Sequence, residues 1–262
     1  MIKAKKSLGQ NFLVDKNIIK KIVNTTNVKD KIILEIGPGT GNLTSEILIK
    51  SPKKIYVIEK DESLVSYLKK NFEKNLDIIN EDVLNFNEKS LTSEKIIVFG
   101  NLPYNISTEI LCKWILNLKD KNYWFESLIL MFQKEVADRI ISKYNSKNYG
   151  RLSILANWRL NIKKICDIKP DCFFPKPKVE STLLLFSPKI KYFKIKDPRN
   201  LEKITRIFFN QRRKMIKKAF HQIFNGNNEI IKKINIDLKL RPQNLNFETY
   251  YKLTQELETL RS

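Results

Sequence analysis

The chain has 262 residues, 42% of them hydrophobic, which suits one large domain or two ordinary ones and excludes a disordered polymer. Its 49 Lys and Arg against 28 Asp and Glu give a formal net charge of +21, which favours a polyanionic partner, although part of the lysine excess matches codon use in an AT-rich genome. The chain shows no apolar run near the ~20 residues of a membrane helix, no secretory signal at its start, and only three cysteines (Cys112, Cys166, Cys172) without CxxC spacing. A cytoplasmic protein with no membrane segment, disulfide framework or metal site is therefore expected.

Along the first two-thirds, short β-branched runs alternate with amphipathic stretches, the pattern of βαβ units around a mostly parallel sheet. Strands are predicted at Lys31–Ile36, Lys54–Glu59, Leu76–Asn80, Lys95–Phe99 and Ser127–Phe132, with two more near Ile154–Ile168 and Glu180–Phe186. Helical spacing of apolar residues marks Thr44–Ser51, Glu62–Asn75 and Thr108–Leu118 as crossovers. After Ser187-Pro188 the pattern turns helical, at Leu201–Asn225, Asn228–Ile236 and Phe247–Leu260, with Gly226 and Arg241-Pro242 as punctuation. The expected organisation is an α/β domain over residues 1–187 and a small helical domain over 188–262. Eleven Lys/Arg against three acids between Leu201 and Arg241 make the helical part a plausible polyanion contact, against the plainer reading of a solvated face.

The run Lys31-Ile32-Ile33-Leu34-Glu35-Ile36-Gly37-Pro38-Gly39-Thr40-Gly41 is an apolar strand entering a glycine turn and then a helix. Its spacing is G-x-G-x-G, not the G-x-G-x-x-G of dinucleotide sites, because position 42 is Asn. With an acid ending the next strand, it resembles the S-adenosylmethionine site of class I methyltransferases. On that reading Gly37 lies against the methionine part, Glu59 accepts from the ribose hydroxyls, Asp82 holds the adenine amine and Val83 flanks the ring.

Phe99-Gly100-Asn101-Leu102-Pro103-Tyr104 follows the fourth strand, where α/β sheets present reactive loops. The tetrad Asn-Leu-Pro-Tyr matches the motif of amino-group methyltransferases acting on adenine, and the chemistry explains the residue types. An exocyclic amine is a poor nucleophile because its lone pair is delocalised. The Asn101 side-chain carbonyl and the Leu102 backbone carbonyl can each accept one N6 hydrogen, localising that pair, and Asn101 also borders the cofactor. Pro103 stiffens the loop and lacks a competing N–H, and Tyr104 offers a stacking face for an extruded base. No strong base is required, and the one histidine, His221, is not expected to be catalytic.

The chain resembles, almost end to end, the KsgA-type small-subunit ribosomal RNA adenine N6,N6-dimethyltransferases. Lys6-Ser7-Leu8-Gly9-Gln10-Asn11-Phe12-Leu13-Val14-Asp15 is similar to the family's opening signature, which implies closure over the cofactor with contacts from Asn11 and Leu13. Phe173-Phe174-Pro175-Lys176-Pro177-Lys178-Val179-Glu180-Ser181 is similar to its F-x-P-x-P-K-V-[DE]-S loop, which implies that Phe173 and Tyr104 sandwich the target adenine. Phe209-Asn210-Gln211-Arg212-Arg213-Lys214 and Arg241-Pro242-Gln243-Asn244-Leu245 resemble its helical domain, with Arg212, Arg213 and Lys214 as RNA contacts. The resemblance implies a monomer that dimethylates two adjacent adenosines in a hairpin loop near the 3′ end of the RNA within an assembling small subunit. A large-subunit or DNA adenine methyltransferase sharing the same core, and a ribosome-assembly factor with secondary catalysis, remain the competing readings.

Overall fold

The computed structural model describes residues 4–5, 8–72, 75–118 and 123–261. Lys6 and Ser7 of the opening signature, and residues 73–74 of the helix predicted to run to Asn75, lie outside them.

The central strands form where β-branched and aliphatic side chains dominate, with Glu35 the one acid inside β2. β2 (Ile32–Ile36) and β5 (Ile96–Gly100) are buried at every position, as strands covered on both faces must be. β2 lies between β3 (Lys54–Ile58) and β5, parallel to both, with Ile32 opposite Lys54 and Ile96, and Ile36 opposite Ile58 and Gly100. β4 (Asp77–Ile79) extends the sheet beyond β3, and β6 (Phe125–Gln133) extends it beyond β5, both in parallel. β9 (Ser181–Pro188) then runs antiparallel to β6. With β7 (Leu160–Ile168) at the far edge, the seven-stranded order is β4-β3-β2-β5-β6-β9-β7. A separate two-stranded ribbon pairs β1 (Phe12–Leu13) with β8 (Phe173–Phe174). The chain steps outward from β2 through β3 to β4, then returns to place β5 beside β2. That reversal is the crevice where open α/β sheets bind ligands, at the carboxyl ends of the strands.

Crossovers are supplied by α2 (Asn42–Ile49), α3 (Glu62–Phe72) and α4 (Ser107–Leu116), all near their predicted places. The sequence reading had not marked α1 (Lys16–Val23) or α5 (Lys134–Ile141). α1 is started by Asp15, whose carboxylate accepts from the Asn17 and Ile18 amides at 2.9 Å and satisfies donors that would otherwise lack partners. The α/β core gathers Ile33, Val57, Ile97, Phe99, Ile129, Met131 and Leu183 from the sheet with Ile22, Val23 and Ile47 from α1 and α2.

Two predicted elements need correction. The stretch Ile154–Ile168 is a strand only in its second half, because Arg151–Arg159 forms helix α6. Leu152, Ile154, Leu155, Ala156 and Trp158 are all buried there, so the helix has no polar stripe and carries no visible helical period. The single helix expected over Leu201–Asn225 is two, α7 (Pro198–Phe209) and α8 (Lys217–Phe224). Between them Ile216, 1% exposed, donates its amide to the Leu240 carbonyl at 2.8 Å, a long-range bond that a continuous helix would forbid. α9 (Asn228–Ile234) and α10 (Phe247–Thr259) follow as predicted.

The chain divides into two compact units, one of residues 1–110, 119–137 and 162–188 and one of 111–118, 138–161 and 189–262. The second unit thus draws in two segments from the first 187 residues. Its interior is aromatic: Phe208 and Phe209 contact the Tyr250 ring, Tyr149 packs edge-on to Phe209 and Phe247, and Tyr250 Oη donates to the Pro242 carbonyl at 2.7 Å. Among the described residues no helix is long and apolar enough to cross a membrane, and no group of three His, Cys, Asp or Glu could hold a metal.

Candidate active site

The loops after β2, β3, β4 and β5 enclose a cavity of about 250 Å³ in the first unit. Its floor is the glycine turn after β2. Gly37 has φ of 65°, a left-handed conformation that side chains resist, and a Cβ there would stand in the open cavity, with the Asn101 carbonyl oxygen 3.9 Å away as the nearest atom. Gly39 is needed for a second reason: a Cβ would come within 2.7 Å of the Phe12 ring, which covers the turn from the N-terminal side.

Of the residues expected to hold a cofactor, Asn11, Gly37, Glu59, Asp82, Val83 and Asn101 all line this cavity. Glu59 ends β3 and is 7% exposed. Burial pushes its carboxyl above the ordinary range, against the bonds it accepts from the Asp61 amide at 2.9 Å and the Gly39 amide at 3.4 Å. Asp82 accepts from the Leu84 amide at 2.9 Å and pairs with the Lys60 ammonium at 2.8 Å. Glu35, one strand layer below, is wholly buried, and desolvation raises its pKa to about 7 against the 2.6 Å bond from the Thr44 hydroxyl.

Leu13 differs from its expected place. It is 5% exposed and packs in the apolar core, whereas its neighbour Phe12 lines the cavity. Strand alternation is the reason: in a two-residue ribbon, adjacent side chains point to opposite faces.

Asn101, Leu102, Pro103 and Tyr104 line the cavity together after β5. The Asn101 amide nitrogen donates to the Asn11 carbonyl at 2.7 Å, which fixes which way round the side chain stands and leaves Oδ1 as its accepting end. Tyr104 is half-buried, and its hydroxyl shares a 2.5 Å hydrogen bond with Ser181, a fully buried residue at the start of β9. Burial raises the phenol's pKa and the Ser181 bond opposes that rise.

Phe173, expected to sandwich the target adenine with Tyr104, is not among the residues that line the cavity. It is opposite Leu13 in the β1–β8 ribbon, 3% exposed, and part of the core. Phe174 is the exposed ring, at 67%, because parity in the ribbon turns one phenylalanine inward and the next outward.

The sequence reading missed the clasp that holds the N-terminal strap over the cavity. Asp61 accepts from Lys5 Nζ at 2.7 Å and from Gln10 Nε2 at 3.0 Å. Burial raises its pKa, but the bonds from Lys5, Ser63 and Gln10 outweigh that and hold the carboxyl well below the usual range. Asp61 also accepts from the Ser63 amide at 3.0 Å, so in sequence it looks like an ordinary helix-start acid.

In the second unit the three cations read as one cluster separate. Arg212 is partly buried and spent on structure: Nε donates to Gln243 Oε1 at 3.1 Å, and a terminal nitrogen donates to the Lys147 carbonyl. Arg213 and Lys214 are exposed, and Lys214 joins Lys217, Lys218 and His221 around a shallow depression.

A family model described as ribosomal RNA adenine dimethylase matches residues 1–259. The ribosomal RNA small subunit methyltransferase A of Pelagibacter ubique is 61% identical over 260 residues, covering 99% of each chain, and that of Wolbachia pipientis wMel is 40% identical over 99% of this chain and 91% of the relative. A solved dimethyladenosine transferase from Plasmodium falciparum superposes with a TM-score of 0.75 at 26% identity, covering 95% of this chain and 98% of the other. The crystal structure of the 23S rRNA methyltransferase ErmE gives 0.66 at 20% identity and shares the fold. The fold is that of class I methyltransferases with a C-terminal helical region, and with the match running across both, the chain belongs to the ribosomal RNA adenine dimethylase family.

Proposed function

We propose that the chain transfers methyl groups from S-adenosylmethionine to N6 of two adjacent adenosines in a hairpin loop near the 3′ end of small-subunit ribosomal RNA, each methylated twice on an assembling small subunit. Family membership supports the reaction class. The observation that carries the site is the Asn101 amide, pinned by its nitrogen to Asn11 so that its oxygen is the acceptor at the edge of a glycine-floored cavity.

The residues present fit the cofactor: Gly37 leaves open the space a Cβ would fill, and Glu59 places a buried carboxylate at the rim. When bound, S-adenosylmethionine supplies an electrophilic sulfonium methyl. Glu59 would accept from the ribose hydroxyls, Asp82 and Val83 would hold the adenine ring, and the strap from Leu8 to Phe12 would cover the cofactor. In the first transfer Asn101 Oδ1 and the Leu102 carbonyl each accept one hydrogen of the target amine, in the second one of them accepts the single hydrogen left, and both steps aim the nitrogen lone pair by position. The surplus proton becomes acidic as nitrogen gains the methyl and its charge, and leaves to water without a dedicated base. Tyr104 stacks on the extruded base, its ring held by Ser181. Residues 1–187 carry this chemistry. Residues 188–262 contact the RNA, with Arg213 and Lys214 exposed for phosphates while Arg212 braces their loop. The protein acts as a cytoplasmic monomer.

The test is transfer of labelled methyl to small subunits lacking the modification, with large subunits and duplex DNA in parallel, followed by nucleoside analysis. N6,N6-dimethyladenosine in the small-subunit sample alone is expected. Label in large subunits or DNA would overturn the substrate assignment.

A further inference from the structure

The loop between β8 and β9 is tied at both ends to walls of the cavity. At one end Phe174 stands opposite Phe12 in the β1–β8 ribbon, and directly opposed residues of an antiparallel pair put their side chains on the same face. Phe12 lines the cavity, so Phe174 shares the cavity's face of the ribbon. At the other end Ser181 holds the Tyr104 hydroxyl at 2.5 Å. The intervening residues thus run between a partner of Phe12 and a partner of Tyr104, two residues of the cavity lining.

The loop is built as a platform. Pro175 and Pro177 fix two backbone φ angles and lower the entropy lost on binding. Glu180 is anchored by an ion pair to Lys134, and Lys176 pairs with Asp171. The loop offers to solvent Phe174, 67% exposed, Val179 at 44%, and the exposed Lys176 and Lys178. A phenylalanine so placed contributes nothing to the core that Phe173 already fills. An exposed aromatic ring followed four residues on by an exposed cation, with two prolines between, is a combination that can hold an unpaired nucleotide, ring against base and cation against phosphate.

We propose that Phe174 and Lys178 form a subsite for the nucleotide next to the target adenosine. Its base stacks on Phe174, and its phosphate meets Lys178. This holds the strand open beside the extruded adenine and selects an unpaired, stackable neighbour over a paired one. The proposal rests on the reading of the cavity as an RNA adenine methylation site.

The test uses the full chain and a hairpin RNA carrying 2-aminopurine, whose fluorescence is quenched by stacking, at the position beside the target adenosine. Wild type should quench the probe and transfer methyl to the unlabelled hairpin. Phe174→Ala should lose the quenching and bind the hairpin roughly 5- to 100-fold more weakly, the range for removal of one stacking ring, with unchanged affinity for S-adenosylmethionine. Phe174→Leu should behave like the alanine variant and Phe174→Trp like wild type, which separates stacking from apolar bulk. Methyl transfer by wild type with equal quenching and affinity in Phe174→Ala would overturn the subsite and leave the proposed function standing. No transfer by wild type to any RNA would overturn both.

Discussion

The cavity and the basic face of the helical unit show two ways of presenting charge. Around the cavity, Glu59 and Asp61 are buried, and each is met by named donors at hydrogen-bond distance. On the helical unit, Arg213, Lys214, Lys217 and Lys218 stand in solvent, where geometry distinguishes none of them. Buried charge is specified by fixed partners and is costly to misplace. Exposed charge acts by number and is screened by salt. Arg212 marks the boundary, a cation adjacent to the exposed pair but committed to a carbonyl and to Gln243.

The contrast is broken most strongly at Glu35. Its pKa lies near 7 in the folded chain against 4.5 for the ordinary group. The native state therefore keeps its proton over an interval in which the unfolded chain has lost it, and stability falls as pH rises from about 4.5 through 7. At about 1.4 kcal/mol per pKa unit the fall amounts to a few kcal/mol. Urea unfolding of wild type and Glu35→Gln at pH 5 and pH 8 should show that component in wild type and its loss in the variant. An unchanged slope would mean that Glu35 does not titrate between the two states.

Next in size is Glu59→Ala, which removes a buried acceptor and should weaken S-adenosylmethionine binding about 10- to 100-fold, from the ~1.5–3 kcal/mol of hydrogen bonds to a charged group. Calorimetric titration of the cofactor alone measures this, and an unchanged affinity would detach Glu59 from the cofactor. Arg212→Ala should lower unfolding free energy by about 1 kcal/mol, since it removes the bonds to the half-buried Gln243 amide and to the Lys147 carbonyl. The double variant Arg213→Glu, Lys214→Glu should change stability by less than about 0.5 kcal/mol yet flatten the salt dependence of RNA binding. Equal stability losses in the two would erase the boundary drawn at Arg212. Asp61→Ala tests the clasp itself. Because Lys5 is half-exposed, the clasp is worth little more than one ordinary hydrogen bond, and cofactor dissociation should quicken about 5- to 10-fold. Stopped-flow release would show it, and an unaltered rate would mean the strap is held by Asn101 and Phe12 alone.

Much of this was legible in residues whose local pattern matches their role. The strands beside Gly37, Glu59 and Asn101 are β-branched runs ending in a glycine, an acid or an amide, so the order of loops around the cavity followed from one-dimensional pattern. What stayed hidden depends on partners far away in sequence. The choice between Phe173 and Phe174 is set by register against Phe12 and Leu13, some 160 residues earlier. The break between α7 and α8 has neither glycine nor proline and comes from the bond between Ile216 and Leu240. Arg212 differs from Arg213 only through Lys147 and Gln243. α6 escaped because burial on nearly all sides erases the helical period.

The central claim is that Asn101 acts on the target amine through its oxygen while its nitrogen is committed to the strap. Single-turnover methyl transfer by Asn101→Ala to unmodified small subunits, with S-adenosylmethionine affinity measured on the same sample, tests it most directly. Transfer should slow roughly 10²- to 10³-fold, the scale of losing one preorganised polar group in an active site, while cofactor affinity changes by no more than about tenfold from the lost bond to Asn11. Transfer at the wild-type rate with the cofactor bound would contradict the account.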